Sequence, residues 1–437
     1  MRCFIGGGRA LEPQTTFSII FVAIILLLMA EIEHRALVAM LAASLSVYFG
    51  VAYGLFGFHD VLEMLNFDVV LFITSVLILF ESISRSGLFD FIGLYMARKI
   101  GRRPFLIALM LVLLTTIFSG ISANIMVVLL IGGITLRLAK ALGFDGRKVI
   151  LLECIQTDIG GILLPISSIP ALIIVSKTGM DFMKYVQVSL PLVVILTLLA
   201  LAYMPFLRIT GGESAEEVEI DDPWKAVQNP TALYRALVIF ILFLLAIIFY
   251  DKIGLTPAYI AFFFATITFM LSGIDPDEIF RHVDWSIPFF VGGFFVFIGG
   301  LEKSGVLENI AHNIAPIILN MNVLVGAPLL LLICALVSAV IDNIPVVLLL
   351  YPIVRDITLK AGISPYPFYW ALIIGGNLGG RLTTFGSPAV LTGIRMLERR
   401  GVKVSIGEYL KFGLPVALSQ LALGMIYLSI LTMYGLI

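Results

Sequence analysis

The sequence predicts an all-α, polytopic membrane protein built from two inverted repeats, each with five transmembrane helices, one re-entrant hairpin and one broken helix. Three observations predict this fold class: the composition, the lengths of the apolar runs, and a polar motif that occurs twice. Of the 437 residues, 60% are hydrophobic and 13% are charged, and the mean hydropathy is +1.08. Soluble domains are only about 45–50% apolar, so we expect the chain to lie in a bilayer.

The apolar runs set the number of membrane crossings, because a helix needs about 20 residues to cross a bilayer. Ten runs are read as spans: 16–31, 35–53, 67–84, 148–177, 184–207, 232–250, 255–273, 286–301, 367–395 and 406–436. The regions 104–140 and 324–358 instead each hold two shorter apolar arms around a polar cluster. Arms too short to cross separately predict re-entrant hairpins at these two places.

Basic residues flank the first predicted hairpin on both sides. Four Lys and Arg precede it within 98–103, and four follow within 137–148. Lys and Arg collect on the cytoplasmic face of a membrane, so both ends of this hairpin should face the cytoplasm. The predicted organisation is a tail (1–15), a first repeat (16–208) with hairpin 104–140 and broken helix 148–177, a cytoplasmic linker (209–231), and a second repeat (232–437) with hairpin 324–358 and broken helix 367–395.

Matching segments indicate that the two halves arose by duplication. The matches are "SGISANIMVV" (119–128) with "SAVIDNIPVV" (338–347) and "DIGG" (158–161) with "NLGG" (377–380), both 219 residues apart, and "SRSGLFDFI" (84–92) with "EKSGVLENI" (302–310), 218 residues apart. An odd number of crossings in each half would insert the second copy upside down. Inverted repeats are typical of secondary transporters, whose substrate site lies at the middle of the membrane.

Four polar clusters interrupt the apolar spans, two at the hairpin tips and two beside Gly-Gly pairs. They are Ser119, Ser122 and Asn124; Asp158 to Gly161 with Ser167; Ser338, Asp342 and Asn343; and Asn377 to Gly380 with Arg381, Thr383, Thr384 and Ser387. Broken helices leave backbone groups unpaired, and in lipid these groups must face a cavity or a ligand. The clusters therefore predict an ion or substrate cradle, although a single polar residue is equally explained by interhelical hydrogen bonding and the glycines by close helix packing.

Three charged residues, Asp158, Asp342 and Arg381, fall at predicted mid-membrane positions. An ionised side chain there costs at least about 2.5 kcal/mol, so each needs a partner or a task. Arg381 either faces an anionic substrate, which we favour, or pairs with one of the two aspartates. Glu81 and Glu153 also fall within spans, but neither sits at a predicted helix break.

Other functional classes find little support in the sequence. The net charge of −1 and the dispersed basic residues indicate no nucleic-acid partner. Cys3, Cys154 and Cys334 have no spacing that predicts a disulfide framework or a metal site. The spans contain no HExxH or GxSxG motif, so we expect no enzyme; a channel and an intramembrane enzyme are the remote alternatives.

Hairpins with Ser/Asn tips, followed by broken helices with Gly-Gly and Ser-Pro sequences, resemble the ion transporter superfamily. "HRALVAMLAASL" (34–45) and "SRSGLFDFIGLYMARKIGRRPF" (84–105) are most similar to the branch of arsenite efflux permeases, the melanosomal P protein and sodium/proton antiporters, which have a citrate transporter-like domain. Divalent-anion/sodium symporters are more distant. The chain departs from the family pattern at Asp158, where Asn is usual, and at Arg381, where a small or polar residue is usual.

The resemblance implies that the tips and breaks bind a coupling ion and that the substrate lies between the two tips. The predicted coupling-ion residues, for sodium or protons, are Ser119, Asn124, Asp158, Gly160, Ser167, Ser338, Asp342, Asn343, Gly379 and Ser387. The predicted substrate-binding residues are Ser122, Asn124, Asn343, Asn377, Arg381, Thr383 and Thr384. Among them, Asp158, Asn377 and Arg381 are predicted from the polar clusters and the mid-membrane charges rather than from the resemblance. The resemblance also implies a homodimer.

The leading functional prediction is a secondary active transporter that moves a small anion or metalloid, arsenite-like or a carboxylate, by ion-coupled alternating access. The alternative is a sodium/proton antiporter in which Asp158 and Asp342 bind the ions and Arg381 is an internal counterion. We expect a multi-pass protein of a prokaryotic plasma membrane. Its expected partners are lipid and a small ion, with no cofactor or metal beyond sodium ions or protons.

Overall fold

The computed structural model describes residues 11–30, 33–101, 103–122, 124–207, 209, 222–227, 229–319, 321–384, 386–402 and 404–437. Residues 1–10 of the predicted tail and 210–221 of the predicted linker lie outside the described residues. Throughout the described ranges the regular structure is helical, with no β-strand. The all-α prediction is confirmed.

The helices before residue 208 form the first half of the molecule. They are α1 (Pro13–Ala30), α2 (Arg35–Ala52), α3 (Phe58–Met64), α4 (Phe67–Arg85), α5 (Leu88–Ile100), α6 (Pro104–Ser119), α7 (Asn124–Leu142), α8 (Gly146–Gly160), α9 (Ile169–Thr178) and α10 (Phe182–Tyr203). Helices α6 and α7 pack against each other over the region predicted as the first hairpin. Helices α8 and α9 are the two arms of the first broken helix.

The helices after residue 229 follow the same order as those of the first half. They are α11 (Pro230–Ile248), α12 (Tyr250–Ile253), α13 (Pro257–Leu271), α14 (Pro276–His282), α15 (Ser286–Lys303), α16 (Val306–Leu319), α17 (Val323–Ser338), α18 (Asn343–Ala361), α19 (Tyr366–Gly379), α20 (Pro388–Arg399) and α21 (Ile406–Met433). Here α17 and α18 are the hairpin arms, and α19 and α20 are the arms of the second broken helix.

The ends of the hairpin and broken-helix arms follow from local sequence. Pro104 lies in the first turn of α6, where its missing N–H costs no hydrogen bond. Pro170 and Pro388 occupy the same early positions in α9 and α20. The Ser168 side chain accepts a hydrogen bond from the backbone N–H of Ala171 at 3.3 Å and so caps α9. Each second arm therefore begins at a sequence signal for a new helix.

The four short helices α3, α5, α14 and α16 are a correction to the sequence analysis, which predicted none there. Charged residues interrupt the apolar pattern that locates spans: α3 contains Asp60, α5 ends with Arg98 and Lys99, and α16 contains Glu308. In chain order, α5 and α16 each lie between a long helix and a hairpin, whereas α3 lies between α2 and α4 and α14 between α13 and α15. Their charged residues hide them from a pattern of continuous apolar runs.

Small residues allow α2 and α15 to pack closely. A Cβ on Gly293 would come within 3.0 Å of the backbone of Ala39, and one on Gly300 would collide with the Ser46 hydroxyl. Close backbone approach through Gly, Ala and Ser is typical of membrane helix pairs. Helix α4 packs against α11 and α13. These contacts form a group of helices beside the hairpins and broken helices.

The second arm of each broken helix packs on the other half of the chain. Helix α9 contacts α18 and α19, and α20 contacts α7 and α8. The two breaks therefore lie side by side where the halves meet.

Several helices have the length and composition needed to cross a membrane. Within the described ranges there are eight: Pro13–Ala30, Arg35–Ala52, Phe67–Arg85, Asn124–Leu142, Phe182–Phe206, Pro230–Ile248, Ser286–Lys303 and Gly407–Met433. Helix α7 is among them although the sequence analysis treats it as a hairpin arm, so length alone does not separate a crossing from an arm. The inverted orientation of the halves stays a prediction.

We expect single cysteines at Lys140 and Lys360 to react with an impermeant thiol reagent from opposite sides of the membrane. Both side chains are exposed, and each lies near the C-terminal end of the second arm of a hairpin. An inverted repeat places these two ends on opposite faces of the membrane. The measurement is labelling of intact cells and of inverted vesicles in a background without Cys3, Cys154 and Cys334. Labelling of both positions from one side would remove the inverted-repeat model.

Candidate functional site

A central cavity of about 420 Å³ lies between the two halves. Both hairpin tips and both helix breaks line it, together with parts of α2, α4 and α15. The predicted site residues on its wall are Asn124, Asp158, Ser167, Asp342, Asn343 and Ser387. The structure thus brings together six predicted residues from both halves of the sequence.

Six helices begin at this cavity, and four of them are arms of the hairpins and broken helices. The first residues of α7, α18 and α20 (Asn124, Asn343 and Pro388) line its wall, as does Ile169 at the start of α9. The first amides of a helix have no intrahelical acceptor, and the helix dipole is positive at this end. Ser387, the residue before α20, makes no capping hydrogen bond. The cavity therefore collects partial positive charge from the backbone.

Asp158 lies beside the first hairpin tip. Its Oδ1 accepts a hydrogen bond from Asn124 Nδ2 at 3.0 Å. The Ser119 hydroxyl lies 2.5 Å from Asn124 Oδ1 and 2.6 Å from the carbonyl oxygen of Thr157, so it can donate to either. Asp158 is 3% exposed, and its Oδ2 has no hydrogen-bond partner among the described residues. One oxygen of a buried carboxylate is thus left for a ligand or a proton.

Two pairs of hydrogen bonds occur at matching places in the two halves. The hydroxyls of Ser119 and Ser338 donate to the carbonyls of Thr157 and Gly376, at 2.6 and 3.0 Å, and each bond spans 38 residues. The phenol groups of Tyr185 and Tyr409 donate to the carbonyls of Ile162 and Arg381, at 2.9 and 2.6 Å. Both serines tie a hairpin tip to a broken helix.

Arg381 does not line the central cavity, in contrast to the prediction that it faces the substrate. Its side chain is 0% exposed, and Nη1 donates to the carbonyl oxygen of Ile155 on α8 at 3.0 Å. Within the described part of the chain, its Nε and Nη2 have no hydrogen-bond partner. It interacts electrostatically with Asp158. The short 3-10 turn after α19, whose Arg381 carbonyl is held by Tyr409, directs the guanidinium towards α8.

Asp342 pairs with Arg35, which the sequence analysis did not select. Arg35 Nη1 donates to Asp342 Oδ2 in an ion pair. The other oxygen, Oδ1, accepts a hydrogen bond from the N–H of Ile344 at 3.3 Å and caps α18. The partners are 307 residues apart, so no local sequence signal links them.

The remaining predicted polar residues lie behind the cavity wall. Asn377 is buried and donates to Ser168 Oγ at 3.2 Å and to the carbonyl of Ile373 at 2.8 Å. Thr383 donates to the carbonyl of Ala339 at 2.5 Å. Ser122 and Thr384 are buried. None of the four predicted substrate ligands Ser122, Asn377, Thr383 and Thr384 is a cavity-lining residue in this structure.

The predicted glycines support close helix packing. A Cβ on Gly160 would come within 3.0 Å of the carbonyl oxygen of Thr116 on α6. A Cβ on Gly379 would come within 3.0 Å of the carbonyl oxygen of Ala335 on α17. Neither glycine lines the cavity. Each lets a broken helix approach the first arm of its own hairpin.

The cavity wall also contains charged residues that the sequence analysis did not select. They are Glu33, Arg35, Asp284 and Arg395. Arg395 makes no hydrogen bond or ion pair with any residue that the structure describes. The spacing of Pro388, Leu391 and Arg395 along α20 places them on one face of the helix, and all three line the cavity. Within the described residues, no group of three or more His, Cys, Asp or Glu is placed to hold a metal ion.

Comparison with known proteins agrees with this architecture. The family model for citrate transporters matches residues 24–375 and 328–436. The chain belongs to the citrate transporter family. An uncharacterized transporter of Mycobacterium tuberculosis is 27% identical over 418 residues, covering 94% of this chain and 96% of the relative. The human P protein is 25% identical over 511 residues, covering 96% of this chain and 60% of the P protein.

Solved structures show the same fold for this transporter. The YdaH transporter of Alcanivorax borkumensis superposes with a TM-score of 0.60 at 15% identity, covering 97% of this chain and 99% of that one. MtrF of Neisseria gonorrhoeae superposes with a TM-score of 0.62 at 13% identity, covering 97% and 96%. This member of the citrate transporter family is therefore a multi-pass integral membrane transporter, and the resemblance to the P protein branch is confirmed.

Proposed function

We propose that this transporter is an ion-coupled secondary active carrier that binds a small anion in the central cavity. The observation that carries the proposal is the meeting of both hairpin tips, both breaks and four helix N-termini at one cavity. Discontinuous helices in secondary transporters point their N-termini at anionic substrate groups. The family is named for citrate, which is an anion of this kind.

The charges around the cavity are compatible with an anion. Asp342 is paired with Arg35, and Asp158 is close enough to Arg381 for their charges to interact. With these two carboxylates offset, the helix N-termini and Arg395 supply positive charge to the inner part of the cavity, while Glu33 and Asp284 lie at its exposed end. A carboxylate or an oxyanion could accept hydrogen bonds from the uncapped start of α20.

Asp158 is the residue we propose for coupling. Its Oδ2 has no partner within the described residues, and the residue lines the cavity, so a proton or a cation can reach it from there. Neutralising Asp158 would leave the Arg381 charge uncompensated and would favour an anion in the cavity. Ion and substrate would then bind together.

The inverted repeat, alternating access and a homodimer belong to the same proposal. The matching hydrogen bonds of Ser119 and Ser338 support two equivalent halves. The exchange of second arms, α9 onto α18 and α20 onto α7, supports a pseudo-two-fold relation between them. The homodimer is implied by the superfamily resemblance and can be read from the mass of the purified protein.

A sodium/proton antiporter is the second candidate. The observation in its favour is that four carboxylates, Glu33, Asp158, Asp284 and Asp342, line the cavity against two guanidinium groups. In this mode Asp158 binds the cation and the proton in turn, and Arg381 acts as a fixed counterion. No anion would be needed.

We expect Asp158→Asn to reduce gradient-driven transport by at least about tenfold, because an amide cannot take up the coupling proton. The measurement is uptake of labelled citrate, succinate and arsenite into proteoliposomes under proton or sodium gradients. Glu153→Gln is the matched control: Glu153 is a buried carboxylate on the same helix, bonded to Thr135 at 2.5 Å and away from the cavity. If sodium or lithium dissipates a pH gradient when no anionic substrate is present, the result favours the antiporter instead.

A further inference from the structure

The ion pair between Arg35 and Asp342 joins two parts of the molecule. Arg35 is the first residue of α2, and α2 packs along α15 and against α1. Asp342 is the last residue before α18, at the tip of the second hairpin. Their side chains are 27% and 9% exposed. The pair therefore bridges from the helices beside the cavity to one of the two tips.

Both carboxylate oxygens of Asp342 make contacts within the protein. Its Oδ2 accepts from Arg35 and its Oδ1 accepts from the N–H of Ile344. Asp158 differs, because its Oδ2 has no partner among the described residues. The two carboxylates predicted to act alike are thus in different chemical situations.

The pair also has no sequence counterpart in the first half. At the repeat offset of 219 residues, the position that matches Asp342 is Ala123, which carries no charge. The first tip therefore has no carboxylate at the position that forms this link in the second tip.

We propose that Arg35 and Asp342 form a latch, a positioning pair that holds the second hairpin tip against α2 while the cavity is open at the end bearing Glu33 and Asp284. Both of these loop residues are exposed and line the cavity, which marks its open end. The positive end of the α18 dipole attracts the Asp342 carboxylate, which caps this helix. Movement of the tip away from α2 requires the charge-assisted hydrogen bond to break.

The latch is tested by distance measurements that need no substrate. Spin labels at Tyr48→Cys on α2 and Leu359→Cys on α18, both 69% exposed, would report the separation of the two parts by pulsed electron resonance. The background replaces Cys3, Cys154 and Cys334 by Ala. In the parent we expect one main distance. Arg35→Gln and Asp342→Asn should each lower the ratio of that population to others by about tenfold, since a few kcal/mol are enough to shift such an equilibrium.

Asn at position 342 can still cap α18, so its effect reports the lost charge rather than a lost cap. The reversed pair Arg35→Asp with Asp342→Arg should recover much of the parent distribution. Arg395→Gln is the matched control, because it removes a cavity guanidinium that has no ion pair within the described residues, and it should leave the distances unchanged.

The latch would be overturned if both single variants showed unchanged distances. It would also be overturned if the reversed pair had the same distances as the single variants while its melting temperature was unaltered. The latch rests on the proposed function in one respect only, namely that transport is the reason for the movement of the tip. If the distances shift as expected while no anion or cation is transported, the latch stands and the proposed function fails. If transport occurs but the distances do not shift, the latch fails and the proposed function stands.

Discussion

Arg381→Gln should lower the melting temperature of the purified protein by an amount equivalent to at most about 3–5 kcal/mol, the cost of removing one partner from a directly paired buried salt bridge. Arg381 is fully buried, donates to the carbonyl of Ile155, and interacts electrostatically with Asp158. Without the guanidinium, Asp158 would be an uncompensated carboxylate in a low-dielectric site.

Adding Asp158→Asn to Arg381→Gln should recover much of the lost stability, because neither of these two positions then carries a charge. Adding Asp342→Asn should not, because the partner of Asp342 is Arg35. The measurement is thermal unfolding of the single and double variants, followed by intrinsic fluorescence in one detergent and at one pH. Comparing the two double variants controls for any general effect of replacing an aspartate.

If Asp158→Asn does not restore the stability lost in Arg381→Gln, the Arg381 guanidinium does not offset the charge of Asp158. The original prediction that Arg381 binds substrate directly would then regain support, and a ligand-dependent movement would have to bring it to the cavity. The expected rescue instead assigns anion binding to the helix N-termini and Arg395.

The sequence was sufficient to locate polar clusters that meet at the cavity. Polar residues such as Asn124 and Asn343 are rare in apolar spans because each unpaired polar group in lipid is costly, so a cluster of them marks a site. The repeat offset strengthened this signal, since both tips showed it. Six of the residues chosen in this way line one cavity.

Side-chain direction and long-range pairing were beyond the sequence. Arg381 lies in the second polar break, but the turn after α19 directs its side chain away from the cavity, and no sequence pattern encodes that rotation. Arg35 and Asp342 are 307 residues apart, and Arg395 sits on a helix where spacing alone would also fit a solvent-facing charge. Such residues are identified only when the helices are packed.

Gly379→Ala and Gly160→Ala should each destabilise the protein by about 1–3 kcal/mol or more, the range for overpacking a tight contact. At both positions the added Cβ would lie within 3.0 Å of a backbone carbonyl, that of Ala335 or of Thr116. A backbone atom cannot rotate away as a side chain can. The broken helix would have to separate from the hairpin arm that it contacts.

Gly133→Ala is the matched control for these two changes, because Gly133 lies within α7 and a Cβ there would meet nothing within 4 Å. Ala is favoured over Gly in a helix by roughly 0.5–1 kcal/mol, so this variant should melt at the same or a slightly higher temperature. The three variants are compared by thermal unfolding in the same detergent. Equal melting temperatures for all three would mean that the glycines at the ends of α8 and α19 are not held by close packing, and their place beside the breaks would then need a ligand-related reason. If only Gly160→Ala and Gly379→Ala lower the melting temperature, the two glycines serve the close helix packing that keeps the tips and breaks at the cavity.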